Sequence, residues 1–324
     1  MKNIAIAGFG NVGRGVQIAL EKTPDMRLMA IFTRRPDVVR AEVDDILVLH
    51  SKDALPEDVN IDVVILCGGS KNDLPDQGPA SIERLNTVDS FDTHADIPRY
   101  YQQMHEIAQQ SGTVAVVAAG WDPGIFSMQR VLGNAFLPKS TQYTFWGKGV
   151  SQGHSDAARQ VSGVLDARQY TIPIEEAVQR IRDGETLDLS TREKHRRVVY
   201  VVAQEGANLE QIKRDIVGMP DYFADYDTEV IFITKEKMER DHSAFPHGGF
   251  VLTSGVTGDN NKQAFEYRCT LENNPEFTAS VLVACARAAH RLNEQGQSGA
   301  FTMLDIPLRM FSPHSRETLL KRFV

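Results

Sequence analysis

Short apolar runs alternate with helical patterns along the first third of the chain. Ile4 to Ala7 has the pattern of a buried strand, and Val16, Ala19 and Leu20 recur behind it at helical spacing. A helix is predicted from about Ile97 to Gln110. Strands that alternate with helices predict a doubly wound parallel sheet, the Rossmann form of the α/β class. The other strands of this sheet are predicted at Leu28–Phe32, Ile46–Leu49, Asp62–Cys67, Thr87–Asp92 and Thr113–Ala119.

The pattern changes after Pro123. A helix at Phe126–Phe136 leads to an apolar run at Tyr143–Trp146, and a loop is predicted from Gly147 to Asp156. Runs of strands with occasional helices predict a second, α+β domain built on a mostly antiparallel sheet. Its strands are expected at roughly 164–172, 196–204, 228–234, 249–254 and 264–271, and its helices near 174–183 and 207–217.

A long helix then opens at Asn274-Pro275 and runs over Phe277–Asn293. A last strand at Phe301–Ile306 and a last helix at Ser315–Arg322 are expected to return to the first domain. We therefore predict one domain from residues 1–122 plus 295–324, and a second domain, inserted into it, from residues 123–294.

The turn between the first strand and the first helix reads Gly8-Phe9-Gly10-Asn11-Val12-Gly13. In this position the G-x-G-x-x-G spacing is a dinucleotide fingerprint. Gly8 permits a tight turn, Gly10 lets the backbone approach a pyrophosphate, and Gly13 allows close packing of helix and strand. The helix N-terminus supplies free N–H groups and the positive end of a dipole for the phosphates.

The second strand runs into Thr33-Arg34-Arg35, where NAD-dependent enzymes place an acid that binds the ribose 2′-hydroxyl. A carboxylate there would repel a 2′-phosphate, whereas a guanidinium binds it with charge-assisted hydrogen bonds. These residues favour NADP over NAD. Cys67-Gly68-Gly69-Ser70 ends another strand and offers small residues to the cofactor. We interpret Cys67 as a packed thiol, since the sequence places no His or Lys beside it.

Two consecutive strands each end near an aspartate, Asp92 and Asp122. Ligands of doubly wound sheets bind at the carboxyl ends of the strands, so paired carboxylates there suit a substrate ammonium group. In the basic run 194–197, residues His195 and Arg197 would share one face of a strand while Arg196 faces the other way. Spacing alone leaves open which arginine points inward.

Composition narrows the function classes. The 324 residues are 42% hydrophobic and carry a formal net charge of −8, which argues against a nucleic-acid surface. No apolar stretch approaches the roughly 20 residues of a membrane helix, and the first residues lack the pattern of a signal peptide. Three scattered cysteines predict a reduced, cytoplasmic protein with neither a disulfide framework nor a metal site, and His242 and His247 lack zinc-ligand spacing.

Eight stretches of the chain carry a resemblance to one known family: Gly8–Arg14, Ile31–Arg35, Gly120–Gly124, Thr144–Gly147, Ser151–Asp156, Met219–Phe223, Pro246–Gly249 and Gln295–Phe301. Through them the chain resembles the meso-diaminopimelate D-dehydrogenases nearly from end to end. The resemblance implies an NADP-binding Rossmann domain joined to a substrate and dimerisation domain. It implies a homodimer and the reversible oxidative deamination of the D-centre of meso-2,6-diaminopimelate, giving L-2-amino-6-oxopimelate (tetrahydrodipicolinate when cyclised) and ammonia.

The resemblance also implies roles for individual residues. Asp92 and Asp122 would hold the reacting D-amino end and act in catalysis, Trp146, Gln152 and Gly153 would shape the pocket, and Thr171, Arg197, His247 and Asn274 would hold the distal end. The residues expected to contact NADP are Gly8, Phe9, Gly10, Asn11, Val12, Gly13, Thr33, Arg34, Arg35, Cys67, Gly68, Gly69, Ser70, Ser90, Phe91, Asp92, Ala119, Gly120, Trp121, Asp122 and Pro123.

Two other functions compete with this interpretation. One is a different NADP-dependent oxidoreductase, such as another amino-acid dehydrogenase or a dihydrodipicolinate-type reductase. The other is a non-catalytic protein that binds NADP as a signal. The Gly-Trp-Asp-Pro-Gly loop at residues 120–124, together with Arg197 and His247, favours the diaminopimelate enzyme over both.

Overall fold

The computed structural model describes residues 1–137 and 139–324. Its strands are β1 (Lys2–Ala7), β2 (Met26–Thr33), β3 (Leu47–His50), β4 (Val63–Leu66), β5 (Asn86–Asp89), β6 (Val114–Val116), β7 (Ser140–Trp146), β8 (Gly149–Ser151), β9 (Val164–Pro173), β10 (His195–Ala203), β11 (Asp227–Phe232), β12 (His247–Thr257), β13 (Asn261–Leu271) and β14 (Gly299–Phe301).

The α-helices are α1 (Asn11–Glu21), α2 (Pro36–Arg40), α3 (Leu74–Ile82), α4 (Ile97–Ser111), α5 (Ile125–Phe136), α6 (Gln152–Arg159), α7 (Glu175–Arg182), α8 (Thr191–Lys194), α9 (Leu209–Val217), α10 (Lys235–His242), α11 (Asn274–Glu294) and α12 (Arg316–Phe323). Two short 3-10 helices lie at His94–Asp96 and Leu308–Met310.

The chain divides into two compact units. The first unit comprises Met1–Met128 and Pro275–Val324, and the second comprises Gln129–Asn274. The division differs from the sequence-based one mainly at α11, which was expected in the second domain. Helix α11 belongs to the first unit because its apolar residues, among them Leu282, Cys285 and Leu292, lie in the same buried cluster as Ile4 and Ile6 of β1.

The first unit contains a parallel sheet in the order β14-β6-β5-β4-β1-β2-β3. Alternate residues of one strand point to opposite faces. Val63 and Ile65 therefore join a cluster with α1 and α11, whereas Val64 and Leu66 join a separate cluster with α3 and α4. Both faces are covered by helices, as the continuous apolar strands require. The predicted Rossmann sheet is confirmed.

The second unit contains two sheets, of which the larger has the order β11-β10-β9-β8 and the smaller has the order β13-β12-β7. Strand β10 runs parallel to β11, whereas β9 pairs antiparallel with β8 and β10, and β12 pairs antiparallel with β7 and β13. Helices α6 and α9 bury Ala158 and Ile212 against the larger sheet, and α7 buries Val178 against the smaller one. The mostly antiparallel α+β domain is confirmed, although it is built on two sheets.

Several predicted boundaries are wrong. The stretch from Gly147 to Asp156 is not a loop, because β8 pairs with β9 and α6 follows at once. A strand of three residues is too short to show an alternation of apolar and polar positions. Strand β8 can therefore be recognised only from its pairing with β9. The strand predicted to reach Ala119 ends at Val116, and the strand predicted from Phe301 ends there. Helices α2, α3, α8 and α10 were not predicted; α3 has a proline inside it.

Candidate active site

The glycine turn after β1 has the predicted local structure. Gly8 has φ +97, a conformation that favours glycine. A Cβ on Gly13 would collide with the Gly8 carbonyl oxygen, so a side chain there would push α1 away from the turn. A Cβ on Gly10 would meet nothing within 4 Å. Gly10 precedes the first turn of α1, whose N–H groups receive no side-chain cap. This end of α1 has the open backbone donors that a phosphate binds.

The two arginines after β2 are exposed, whereas Thr33 is buried and its Oγ1 accepts a hydrogen bond from the Arg35 N–H at 3.2 Å. Arg34 also makes an ion pair with Asp73, 3.4 Å from Nη1 to Oδ1. The other oxygen of Asp73 accepts from the Gly69 N–H at 2.8 Å. Asp73, to which the sequence assigned no role, thus links the arginine turn to the Gly68-Gly69 loop after β4.

The loops that carry Asp92 and Asp122 leave neighbouring strands, because β5 pairs with β6 in the sheet. The Asp92 side chain is exposed, and its N–H donates to Ser70 Oγ at 2.8 Å, so the loops after β4 and β5 are bonded to each other. Ser70 Oγ also lies 3.3 Å from Thr93 Oγ1. Asp122 is half-buried. The predicted cofactor and catalytic residues Ser70, Asp92 and Asp122 therefore come from three adjacent strand ends.

Cys67 follows β4 and hydrogen-bonds through its sulfur to the Ile65 carbonyl oxygen at 3.8 Å. Burial raises the pKa of the Cys67 thiol to about 12. A thiol with that pKa is a poor nucleophile near neutral pH, in agreement with its interpretation as a packed side chain. Across residues 1–137 and 139–324, three or more His, Cys, Asp or Glu side chains nowhere cluster in a way that could hold a metal ion.

In the second unit, Arg197 is the inward-facing arginine. Arg197 has 6% exposure, while the neighbouring Arg196 is exposed. Arg197 stands opposite Thr171 across the β9–β10 ladder, and its Nη1 donates to Thr171 Oγ1 at 2.5 Å. Its guanidinium lies over the Tyr226 ring, 3.9 Å from the centroid. Burial lowers the pKa of Arg197, and Tyr226 partly opposes this shift.

Trp146, the last residue of β7, contacts His195. The sequence predicted only that His195 shares a strand face with Arg197, and it did not predict this contact. The Trp146 N–H donates to His195 Nε2 at 2.9 Å, and the two rings stack with centroids 5.4 Å apart. Burial, and then the neighbouring charges of Arg197 and Lys194, lower the pKa of His195 to about 4. A neutral His195 ring can accept this hydrogen bond, which a protonated ring cannot.

Backbone hydrogen bonds hold the segments that carry the remaining predicted residues of the second unit. The Asn274 N–H donates to the Phe245 carbonyl at 3.1 Å, and the Val150 N–H donates to the Pro246 carbonyl at 2.8 Å. Gly149 pairs with Thr171, and its missing side chain makes room for His247, whose Cα a Cβ there would approach to 2.5 Å. Gln152 and Gly153 are exposed at the start of α6, directly after β8.

Known proteins match this chain over nearly its whole length. The family model of the diaminopimelic acid dehydrogenase C-terminal domain matches residues 120–273. The meso-diaminopimelate D-dehydrogenase of Ureibacillus thermosphaericus is 53% identical over 321 residues, which are 99% of this chain and 98% of the relative. The chain belongs to the meso-diaminopimelate D-dehydrogenase family. The resemblance stated from the sequence is therefore confirmed.

Solved structures of meso-diaminopimelate dehydrogenases have the same fold. A six-site mutant from Clostridium tetani E88 with DAP is 48% identical with a TM-score of 0.93, and each chain is covered completely. The Corynebacterium glutamicum DAP dehydrogenase in complex with DAP is 45% identical with a TM-score of 0.91, covering 100% of this chain and 99% of that one. An engineered D-amino acid dehydrogenase bound to NADP+ is 44% identical with a TM-score of 0.86, at the same coverage.

Within the described residues, every helix is too short or too polar to cross a lipid bilayer.

Proposed function

We propose that this chain is an NADP-dependent dehydrogenase that reversibly deaminates the D-centre of meso-2,6-diaminopimelate, giving L-2-amino-6-oxopimelate and ammonia in lysine and diaminopimelate metabolism. The proposal rests mainly on the surroundings of the Arg197 guanidinium. This group is buried, its Nε has no hydrogen-bond partner, and no carboxylate among the described residues pairs with it. A buried cation in this state favours an anionic ligand, and a substrate carboxylate supplies one.

The residues of the first unit fit NADP. The open backbone donors at the start of α1 suit the pyrophosphate, and the space beyond Gly10 leaves room for its approach. Arg34 and Arg35 are exposed and suit the 2′-phosphate. The NADP+-bound structure of a 44% identical dehydrogenase supports the same cofactor here. When bound, the cofactor supplies the acceptor for the hydride that leaves the D-centre.

Asp92 and Asp122 are proposed to act at that centre. Their loops leave adjacent strands, so two carboxylates can receive one ammonium group. Each carboxylate can orient the substrate nitrogen, and one of them can take the proton that the ammonium must lose before an imine forms. Trp146, Gln152 and Gly153, in the second unit, are proposed as further substrate-binding residues.

The distal end of the substrate is proposed to bind Thr171, Arg197, His247 and Asn274. These four positions correspond to four of the six that are replaced together in the Clostridium tetani mutant with DAP. The six residue types replaced in that mutant occur in this chain in the same order and at the same spacing, at Gln152, Thr171, Arg197, Pro246, His247 and Asn274.

We further propose that the chain acts as a cytoplasmic homodimer, with its first unit binding NADP and its second unit providing substrate binding and dimerisation. Three free cysteines and a net charge of −8 are compatible with a reducing compartment and with the absence of a nucleic-acid partner.

The proposal is tested by measuring NADP+ reduction at alkaline pH with meso-diaminopimelate, with the LL isomer as the matched substrate control and NAD+ as the matched cofactor control. We expect turnover that requires the meso isomer and is at least about tenfold faster with NADP+, because each guanidinium contact with a phosphate contributes roughly 1.5–3 kcal/mol. Protein that binds NADPH yet reduces NADP+ with neither isomer would refute the assignment. Turnover of other amino acids alone would favour a different amino-acid dehydrogenase.

A further inference from the structure

Asp89 is a buried carboxylate that belongs to neither the predicted cofactor contacts nor the predicted catalytic pair. It is the last residue of β5 and has 0% exposure. Its Oδ1 accepts hydrogen bonds from two backbone N–H groups, of Phe91 at 3.0 Å and of Ala118 at 3.1 Å. Its Oδ2 accepts from the Tyr100 hydroxyl at 2.9 Å. These three hydrogen bonds all come from donors inside the first unit.

These hydrogen bonds reach both aspartate loops, which are the loop after β5 that carries Asp92 and the loop after β6 that carries Asp122. Phe91 directly precedes Asp92, and Ala118 lies four residues before Asp122 in the segment that leaves β6. The Asp89 carbonyl oxygen adds a third bond, from the Ala119 N–H at 2.9 Å. Beyond Val116 this segment has left the ladder with β5, so its backbone donors need other acceptors. One side chain therefore holds the start of the loop to Asp92 and the start of the loop to Asp122.

Ala118 is where this support is most needed. It has φ +52, in the left-handed region that residues with a Cβ rarely occupy, and it is 6% exposed. A conformation of this kind persists only where surrounding contacts hold it, and such residues cluster at functional sites. The bond from the Ala118 N–H to Asp89 is one of those contacts.

We propose that Asp89 is a positioning residue, whose carboxylate sets the two loops that present Asp92 and Asp122 to the D-amino centre. This inference rests on the proposed function and adds to it a residue that touches neither substrate nor cofactor. Burial raises the pKa of Asp89 to about 6, although its three hydrogen bonds act in the opposite direction. At the alkaline pH of the assay the Asp89 carboxyl is therefore ionised and can accept these hydrogen bonds.

The chain offers a matched control in Asn86, at the other end of the same strand. Asn86 is also buried, and its side-chain oxygen accepts from the Val114 N–H at 2.9 Å, joining β5 to the start of β6. Asn86→Leu and Asp89→Leu each remove a buried acceptor between the same two strands. Only Asp89 faces the aspartate loops, so a purely structural role would affect both variants alike.

The experiment compares kcat with meso-diaminopimelate, NADPH binding and Tm in four variants. We expect Asp89→Leu to lower kcat about 100-fold, the scale of an ångström-sized misplacement of reacting groups. Asn86→Leu should lower Tm comparably while its kcat stays within about threefold, on the same reasoning. Asp89→Asn, which keeps an acceptor for both N–H groups, should recover most of the activity. Tyr100→Phe, which leaves the two backbone bonds intact, should match the wild type in kcat.

A kcat of Asp89→Leu within about threefold of the wild type, or an equal fall in Asn86→Leu, overturns the inference. Asp89→Ser replaces Asp89→Leu if the latter does not fold, because its short hydroxyl cannot reach both donors. Hydrogen exchange separates this inference from the proposed function. An inactive wild type refutes the function, while faster amide exchange at Phe91 and Ala118 in the Asp89 variant still supports positioning, and unchanged exchange overturns it.

Discussion

At the scale of single residues, the alternation of side chains between the two faces of a strand is the most informative feature of the second unit. The sequence predicted that His195 and Arg197 share a face and that Arg196 faces the other way, and the structure confirms it, since the first two are buried and Arg196 is exposed. The choice between the arginines came from resemblance, because alternation alone gives two equivalent phases. Tyr226 and His195, which contact Arg197 and Trp146, were not predicted as partners because they are distant in sequence.

Because Arg196 and Arg197 lie on opposite faces of β10, substitutions at these two positions should have different effects on activity. Arg197→Met should lower kcat/KM for meso-diaminopimelate by roughly two orders of magnitude, since the loss of a buried charged hydrogen bond costs about 2–5 kcal/mol. Arg196→Met, on the opposite face, should change it by no more than about threefold, as expected for an exposed pair. Steady-state kinetics of both variants checks the prediction. Equal losses in both would show that Arg197 does not bind the substrate.

At the scale of elements, the strand–turn–helix at the N-terminus was the most predictable part of the chain. Glycine is suited to each of its three positions for a different local reason. Gly8 has a positive φ, Gly10 borders open space and Gly13 packs against the Gly8 carbonyl. These reasons depend only on near neighbours in sequence. The stretch 147–156 shows the opposite case, because β8 exists through its pairing with β9. A three-residue strand has too few positions to show an alternation.

Two substitutions in the glycine turn should therefore separate stability from binding. Gly13→Ala should lower the free energy of unfolding by roughly 1–3 kcal/mol, as overpacking does. Gly10→Ala should leave stability within about 0.5 kcal/mol, because its Cβ meets nothing within 4 Å, while weakening NADPH binding by crowding the pyrophosphate. Thermal unfolding and fluorescence titration with NADPH measure the two effects. Loss of stability in Gly10→Ala with unchanged NADPH affinity would contradict this division.

At the scale of the whole molecule, the chain leaves the first unit after Met128 and returns to it at Pro275. The return is secured by α11, whose Arg287 donates to both oxygens of Asp25, at 2.8 and 2.9 Å, and to the Phe311 carbonyl at 2.7 Å. Hydrogen bonds from Arg287, followed by its charge, hold the pKa of Asp25 down to about 2, against a partial opposing effect of burial. This ion pair joins residues 262 positions apart.

The Asp25 pKa predicts a pH-dependent contribution to stability. Because the folded pKa lies below the unfolded value of 3.8, the contribution is complete above about pH 5 and is lost as pH falls towards 2. Arg287→Met should therefore reduce the free energy of unfolding by a constant amount, on the order of 2–3 kcal/mol, between pH 7 and 5. The difference from the wild type should shrink at pH 3. Urea unfolding at these pH values measures it.

Arg291→Met is the matched control for this measurement. Arg291 lies one turn further along α11 and donates to the carbonyls of Arg309, Met310 and Ser312, which do not titrate. Because Arg291 makes no hydrogen bond to Asp25 and feels only its charge, the stability difference that this substitution causes should change much less between pH 7 and pH 3 than that of Arg287→Met. A difference for Arg287→Met that is equally insensitive to pH would show that the Asp25 carboxylate contributes nothing to it.

Features that depend on neighbours along the chain could be predicted from the amino-acid sequence. These are the strand–glycine–helix turn, the arginines after β2, the aspartates after successive strands, the opposite facing of Arg196 and Arg197, and the α/β pattern followed by an α+β pattern. Each follows from side-chain spacing or local backbone freedom, which neighbouring residues set. The resemblance to a known family then supplied the substrate.

Contacts between distant segments became known only from the three-dimensional fold. It paired β8 with β9, placed α11 in the first unit, and set the Asp89 carboxylate against the Ala118 N–H, 29 residues away. The physical reason is that a buried polar group must find a partner, and the sequence shows that the group exists but not which distant donor will satisfy it.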